Sequence, residues 1–234
     1  MVEKVNYILV HGAGLGGWCW DKVRRLMEAR GASVYAPTIP EASLSLENSI
    51  EYVVGIIESK NLQNCILVGH SYGGMIITGV ADRLESKINR VIFLDAAVPK
   101  DGDDFASHIP GISKEHAEKR RQAFRSFSSD GIWIAPIAPE LAGISDVEDI
   151  DYVNKHSRPH PLASWLEPIK LRNDGIRKLP KTYIMATDPP TDIMGYPVHG
   201  EIAKSSVEWI YQEISCGHAA MIIRPEEITN LLLE

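Results

Sequence analysis

Ser71 is the residue whose surroundings most clearly suggest chemistry. It lies in the pattern GHSYG, residues 69–73, between an apolar segment typical of a strand and a segment with helical spacing. A G-x-S-x-G pattern in this context holds the serine on a sharp, strained turn, so that its Oγ stands clear of the sheet. Glycines two positions before and after it let the strand and the helix approach closely, and the helix N-terminus faces developing negative charge. The sequence therefore predicts a nucleophile at Ser71 rather than a plain glycine-rich turn.

The glycines of residues 8–18, ILVHGAGLGGW, allow two interpretations. Their G-x-G-x-x-G spacing outlines a dinucleotide-binding loop, and it also suits a loop that presents backbone N–H groups to an oxyanion. A dinucleotide site needs an acidic residue or an arginine about 20 residues further on, at the end of the second strand. Residues 35–38 read YAPT and contain neither. The sequence therefore predicts an oxyanion hole, with the backbone N–H groups of Ala13 and Tyr72 as donors.

One of the eight histidines lies where a serine nucleophile would find its general base. His218, in SCGHAAMI, follows the last predicted strand, precedes the last predicted helix, and comes after Ser71 as the chain order Ser…acid…His requires. His11 is interpreted as structural in the glycine loop, and His70 as held by the turn at Ser71. The other five are assigned to surface or cap positions, and none pairs with a carboxylate at metal-ligand spacing. These five are His108, His116, His156, His160 and His199.

Strand-like and helix-like segments alternate towards both ends of the chain. Short apolar segments such as residues 5–10 alternate, through short connections, with segments of helical character, among them residues 18–29, 46–59 and 198–204. This order predicts a mostly parallel twisted sheet flanked by helices. Residues 100–178 show no clear strand, contain a charged helical run and a proline-rich stretch, and are too long for a plain loop. We therefore predict a core formed by residues 1–99 and 179–234, with residues 100–178 inserted as a helical cap.

Composition and charge are those of an ordinary globular chain: 234 residues, of which 44% are hydrophobic and 24% charged. A net charge of -7 argues against a nucleic-acid partner, which normally requires a basic face. The three cysteines lack C-x-x-C spacing and suggest reduced thiols rather than disulfides or zinc. No apolar run reaches membrane-spanning length, and the N-terminal one is too short for a signal peptide. We predict a cytoplasmic protein without a membrane partner; a homodimer is left open.

The segments HGAGLGGWCW, GHSYGGM and GHAAM resemble those of the α/β-hydrolases. Within that family, the chain is similar to the group of plant methylesterases, hydroxynitrile lyases and their bacterial esterase relatives. The similarity runs in order along the whole chain and is loosest in the cap region. It implies an α/β-hydrolase fold in which Ser71 and His218 are nucleophile and base, and the N–H groups of Ala13 and Tyr72 are the oxyanion donors.

Two departures from that group speak against the lyases. The lyases carry a threonine directly after the first-strand histidine, where this chain has Gly12. They also carry a lysine directly after the catalytic histidine, where this chain has Ala219, so that cyanide would lack a cationic partner. The esterases are therefore the expected branch.

Three aspartates compete for the position that orients His218. Relatives mostly place the acid two or three residues past the strand matching KTYIMAT, where this chain has two prolines, with Asp188 before them and Asp192 shortly after. Other α/β-hydrolases take it from the end of the neighbouring strand, here Asp95 in NRVIFLD. A carboxylate at a strand end is rigidly held, and an unpaired one ending a buried strand would be costly. We prefer Asp95 over Asp192 and Asp188 as the acid. The alternative, purely structural role for Asp95 is to cap the following turn or to pair with a residue of the helical cap.

These features predict a serine hydrolase that cleaves small, largely apolar carboxylic esters through an acyl-enzyme, without a metal or organic cofactor. Trp133 and Trp165 are candidates to line its pocket, or else to form the cap's own small core. Two other functions stay open, because fold does not fix function. One is a lyase or decarboxylase that uses the site for proton transfer, and the other is a small-molecule-binding protein with negligible turnover.

Overall fold

A parallel sheet forms the centre of the protein, whose computed structural model describes residues 5–173, 176–190 and 194–234. The described strands, numbered along the chain, are β1 (Asn6–Val10), β2 (Ser33–Tyr35), β3 (Cys65–Ser71), β4 (Ile88–Ala96), β5 (Trp133–Ile134), β6 (His160–Pro161), β7 (Lys181–Ala186) and β8 (Trp209–Ile214). Six of them form one sheet in the order β2-β1-β3-β4-β7-β8, and every neighbouring pair is parallel. The fold class predicted from the sequence is confirmed.

The central strands are apolar because helices cover both faces of the sheet. Every residue of β1, β3 and β7 is buried, whereas the edge strand β8 is largely half-exposed. Such continuous burial is typical of parallel sheets in α/β proteins. Since β3 and β4 are parallel neighbours, their carboxyl ends meet at one edge of the sheet, where α/β proteins bind their ligands.

Helices pack on the two faces in separate groups. The described helices are α1 (Asp21–Ala29), α2 (Leu46–Ser59), α3 (Gly73–Arg83), α4 (Lys114–Ser126), α5 (Val147–His156), α6 (Leu162–Leu166), α7 (Tyr196–Ser205), α8 (Ala220–Ile223) and α9 (Pro225–Leu233). Apolar residues of α2, α3 and α7 share one core, and those of α1, α8 and α9 share the other. None of these described helices is long and apolar enough to cross a membrane.

The observed helix bounds agree with the predicted ones where a capping residue marks the helix start, and differ by a few residues in α1 and α7. Helix α2 spans the predicted residues, because the Ser45 hydroxyl caps it by accepting the N–H of Asn48 at 3.0 Å. The predicted helix over residues 18–29 instead begins as a 3-10 turn, Gly17–Trp20, before α1. Helix α7 starts two residues earlier than the predicted residue 198, since a proline is tolerated in the first helical turn.

Residues 100–178 contain α4, α5, α6 and the antiparallel pair β5–β6. The sequence analysis expected no strand here and is wrong on this point, because a two-residue strand is too short to show an alternating pattern. An aromatic cluster packs within the segment: the Trp165 ring lies 5.0 Å from Phe105 and 4.7 Å from Phe124, measured between centroids. These rings are part of the core that α2, α3 and α7 share, and the Phe105 ring also lies 5.3 Å from that of Tyr72.

Candidate active site

Ser71 lies on a sharp turn between β3 and α3. Its backbone is left-handed, with φ +57°, a conformation that is costly for a residue with a side chain. A Cβ at Gly69 would lie 2.8 Å from the carbonyl oxygen of Gly73, and one at Gly73 would lie 2.7 Å from that of Val10. Strand, turn and helix can therefore approach this closely only with glycine at both positions. The turn places Ser71 at the wall of a cavity, with the N-terminus of α3 behind it.

Asp95 and His218 form a pair at the same edge of the sheet. Asp95 lies near the end of β4, also with a left-handed backbone (φ +43°), and it is fully buried. Its Oδ2 lies 2.6 Å from Nδ1 of His218, which belongs to the loop between β8 and α8. An ionised carboxylate can only accept, so Nδ1 carries the proton and Nε2 is left as the acceptor. This tautomer is the one that a general base towards a serine requires.

The other two candidate acids are placed differently. Asp188 follows β7 and is exposed; its backbone N–H donates to the carbonyl oxygen of Cys216 at 3.0 Å. Its carboxylate makes no hydrogen bond or ion pair with any residue that the structure describes. Asp192 lies outside the described residues. Of the sequence candidates that can be compared, the structure brings Asp95 to His218 and leaves Asp188 in solvent.

The Ser71 hydroxyl has a partner that the sequence analysis did not anticipate. Its Oγ lies 3.0 Å from the hydroxyl oxygen of Tyr196, the first residue of α7, and within the described chain it makes no hydrogen bond to His218. The Tyr196 ring is fully buried and stacks almost parallel on the His218 imidazole, with centroids 5.2 Å apart. No spacing or motif in the sequence singles out Tyr196, and the predicted helix began after it.

The glycine loop lies directly against Ser71. A Cβ at Gly12 would be 2.8 Å from Ser71 Cβ and 3.3 Å from its Oγ. The segment after β2 fixes this loop: Thr38 Oγ1 accepts the N–H of Gly17 at 2.9 Å, and His11 Nε2 accepts the N–H of Ile39 at 3.1 Å. These two hydrogen bonds hold the loop beside Ser71, with no room for a side chain at Gly12.

The two predicted oxyanion donors flank this contact. Ala13 follows Gly12 in the loop, and Tyr72 follows Ser71 on the turn before α3. Neither backbone N–H donates a hydrogen bond to any described residue, which leaves both available to a ligand. The Tyr72 ring points elsewhere, since its hydroxyl donates to the carbonyl oxygen of Ser164 at 3.0 Å.

A cavity of about 770 Å³ opens over these residues. Its lining includes Ser71 and His218 together with residues of the 100–178 segment, among them Trp165. Trp133 is not among the lining residues. No lysine, arginine, aspartate or glutamate belongs to the described lining, so a bound molecule would meet apolar side chains nearly everywhere. The apolar side chains of the lining include Phe105, Phe127, Ile134, Ile137, Leu141, Ile144, Val153 and Ile222.

Several histidines around the site are buried and held neutral. Burial lowers the pKa of His11 to about 4 and that of His160 to about 3. The assignment of His199 to a surface or cap position is wrong: it is buried in α7, where its Nε2 lies 2.9 Å from Nδ1 of buried His108. Desolvation lowers the pKa of His199 to about 4 and that of His108 well below its usual value.

His70 supports the loop that carries His218. Its Nε2–H donates to the carbonyl oxygen of His218 at 3.0 Å, and the two rings pack with centroids 4.4 Å apart. Burial lowers the pKa of His70 well below its usual value, so this ring stays neutral beside His218. The position of His218 is thus set by contacts with both its ring and its backbone.

The chain belongs to the alpha/beta hydrolase family, which it matches over residues 7–231. It is 32% identical over 240 residues to a carbendazim hydrolyzing esterase of Nocardioides sp. (strain SG-4G), covering 97% of this chain and 98% of that one. Methylesterase 1 of Arabidopsis thaliana is 25% identical over 258 residues, covering 99% of this chain and 96% of that one.

The fold has a counterpart among solved structures. An extracellular alpha/beta-hydrolase from a Paenibacillus species superposes with a TM-score of 0.81 at 23% identity, covering 98% of both chains. The resemblance drawn from the sequence motifs is confirmed, and so is the prediction of an enzyme: the protein is an α/β-hydrolase that acts on ester bonds.

Proposed function

We propose that this protein is a serine carboxylesterase that hydrolyses small, largely apolar esters through an acyl-enzyme. The observation that carries the proposal is that Ser71 and His218 line one apolar cavity, while the buried Asp95 lies 2.6 Å from the His218 imidazole. The three residues come from separate parts of the chain, and two of them, Ser71 and Asp95, have a costly left-handed backbone. Backbone strain of this kind persists where the surrounding structure holds it, and it clusters at active sites.

Each residue of the site takes one role in the proposed reaction. Ser71 Oγ bonds to the carbonyl carbon while its proton moves to His218 Nε2, and the carbonyl electron pair moves to the oxygen held by the N–H groups of Ala13 and Tyr72. Asp95 keeps the imidazole in its tautomer and stabilises its charged form. The bond to the alcohol then breaks, and the alcohol oxygen takes the proton from Nε2. Water repeats the sequence and releases the acid.

The lining of the cavity supports an uncharged substrate. Burying an unpaired charge against apolar side chains is costly, and the described lining offers no opposite charge to offset that cost. The position after His218 is Ala219, which is buried and lines the cavity. Among the described residues, the wall therefore offers no ammonium to an anionic leaving group such as cyanide, which favours ester hydrolysis over lyase chemistry.

The proposal also gives the two parts of the chain different roles. Residues 1–99 and 179–234 supply the catalytic groups, and residues 100–178 act as a cap that closes the cavity over them. Two contacts across this division support it: the Ala219 N–H donates to the carbonyl oxygen of Ala142 at 3.0 Å, and Tyr72 reaches Ser164. The three cysteines are buried free thiols, which supports a cytoplasmic location.

The test combines turnover with covalent labelling. We expect wild-type protein to hydrolyse p-nitrophenyl acetate and butyrate and to take up a fluorophosphonate probe on Ser71, as read by peptide mass spectrometry. Ser71→Ala should lose both. Labelling without turnover would mean a competent nucleophile in a pocket shaped for other chemistry, and the absence of both would favour a binding protein.

A further inference from the structure

The hydroxyl of Tyr196 occupies a position that the proposed triad and oxyanion hole leave unexplained. It lies 3.0 Å from Ser71 Oγ, the atom that would attack the substrate, and the whole residue is fully buried. A buried polar atom of this kind must be paired, and here its partner is the nucleophile itself. Tyr196 therefore touches a reacting atom.

Rigid elements hold the phenol in this position. Tyr183, on the central strand β7, places its hydroxyl 3.1 Å from the carbonyl oxygen of Tyr196 and 3.0 Å from that of Ala96. Ala96 directly follows Asp95, so one hydroxyl connects the start of α7 to the strand end that carries the proposed acid. The parallel stacking on His218 fixes the ring plane as well. Groups held on strands and helices in this way are more accurately placed than groups on loops.

The direction of the hydrogen bond follows from the two hydroxyls. When the Ser71 proton points to His218 Nε2, the Oγ lone pairs are free, and the phenol, which is the more acidic hydroxyl, donates to them. Burial raises the pKa of Tyr196, so the phenol stays protonated and can donate across the working range of the enzyme.

We propose that Tyr196 is a catalytic residue whose phenol donates a hydrogen bond to Ser71 Oγ and thereby accelerates release of the acyl group more than its formation. The inference rests on the proposed function, in which Ser71 is the nucleophile. Before acylation the phenol is already bonded to the Ser71 hydroxyl oxygen, a good acceptor, so the charge that develops on Oγ during attack strengthens an existing bond and the gain is small. The acyl-enzyme instead begins with an ester oxygen, which is a weaker acceptor. In deacylation the C–Oγ bond breaks and its electron pair passes to Oγ, which takes the proton from His218 Nε2. The bond from Tyr196 strengthens as that charge develops, and only such differential binding raises a rate.

Tyr196→Phe tests the proposal while keeping the ring that stacks on His218. With p-nitrophenyl acetate as substrate, acid quenching and intact-mass spectrometry give the lifetime of the acetyl-enzyme. We expect that lifetime to rise roughly 10- to 100-fold, the effect of one lost hydrogen bond to a developing anion. The ratio kcat/KM, which reports acylation, should stay within about threefold of the wild-type value. Tyr211→Phe, which removes a hydroxyl bonded to Glu213 on the edge strand, is the matched control and should change neither quantity.

The remaining outcomes separate this inference from the proposed function. An acetyl-enzyme with an unchanged lifetime overturns the role of Tyr196. A parallel fall of kcat and kcat/KM does so too, because it would show that the substitution disturbs His218, which acts in both half-reactions. Either result leaves Ser71 as the nucleophile. If wild-type protein forms no adduct on Ser71 with either reagent, the proposed function fails and this inference fails with it. The rate of fluorophosphonate labelling and the melting temperature verify that Tyr196→Phe is folded.

Discussion

Asp95 Oδ2 lies 2.6 Å from His218 Nδ1, and this contact joins the end of strand β4 to the loop that follows strand β8. The adjacent strand β7 is followed by Thr187 and the exposed Asp188, and among the described residues Asp188 makes no bond to His218. Since β4 is the direct neighbour of β3, the carboxylate and the serine leave the sheet side by side. A buried carboxylate on a strand end loses little freedom when it orients an imidazole.

Replacement of Asp95 tests the acid of the site. We expect Asp95→Asn to lower kcat by about 10⁴-fold, because an amide can present its N–H₂ group to Nδ1 and select the wrong tautomer of His218. Asp188→Asn, at the exposed carboxylate nearby, is the control and should retain wild-type turnover. Melting curves of both variants check the fold. Wild-type activity in Asp95→Asn together with a loss in Asp192→Asn would assign the acid to residue 192 instead.

A substitution at Gly12 tests whether the position of the glycine loop matters for catalysis. A Cβ there would lie 2.8 Å from Ser71 Cβ, so Gly12→Ala must displace either the glycine loop or the nucleophile. A misplacement of about 1 Å can cost roughly 100-fold in rate, and we expect a fall of that size in kcat/KM for p-nitrophenyl butyrate.

Gly55→Ala provides the opposite case and serves as its control. Gly55 lies inside α2 with no atom within 4 Å of the added Cβ. Alanine there is expected to leave activity unchanged and to raise the unfolding free energy by about 0.5–1 kcal/mol, as urea titration would measure. Activity in Gly12→Ala equal to that in Gly55→Ala would show that the loop can move without cost to catalysis.

The sequence predicts the strands of the sheet, helix α2 and the turn at Ser71 better than it predicts contacts made by tertiary packing. Periodicity identifies the buried strands and α2 because burial on both faces and a serine cap leave a local signature. The turn at Ser71 can be predicted equally well, because the close packing of strand and helix requires glycine at two fixed positions around it. Tyr196 has no such signature: its hydroxyl meets Ser71 only because α7 packs against β4, β7 and β8 with its first residue beside the end of β3. The burial of His199 is likewise a consequence of tertiary packing, which a single polar letter in a helix does not reveal.

The part of the cavity lining that the structure describes contains no lysine, arginine, aspartate or glutamate, and this predicts discrimination against charged esters. We expect kcat/KM for mono-p-nitrophenyl succinate to be about 100-fold or more below that for p-nitrophenyl butyrate, because its free carboxylate would be desolvated without a partner. The rates of hydroxide hydrolysis of the two esters correct for their intrinsic reactivity. Ala135→Lys adds a cation to the lining and should reduce the difference in kcat/KM between the two esters. Equal constants for the two esters in wild-type protein would place the acyl group outside this cavity.

Buried neutral histidines predict how stability depends on pH. The folded-state pKa of His199, about 4, lies below its unfolded value of about 6.5, so the unfolded chain binds more protons between these limits. Stability is therefore fully present above pH 6.5 and is lost as the pH falls through 4, with each such histidine contributing a slope of roughly 1.4 kcal/mol per pH unit. His199→Gln should reduce the slope of the unfolding free energy against pH by roughly 1.4 kcal/mol per pH unit in this window, which corresponds to one bound proton. Gly55→Ala, which alters no titratable group, should leave the slope unchanged. Urea titrations at closely spaced pH values measure both slopes, and equal slopes for His199→Gln and wild type would show that His199 titrates normally in the folded protein.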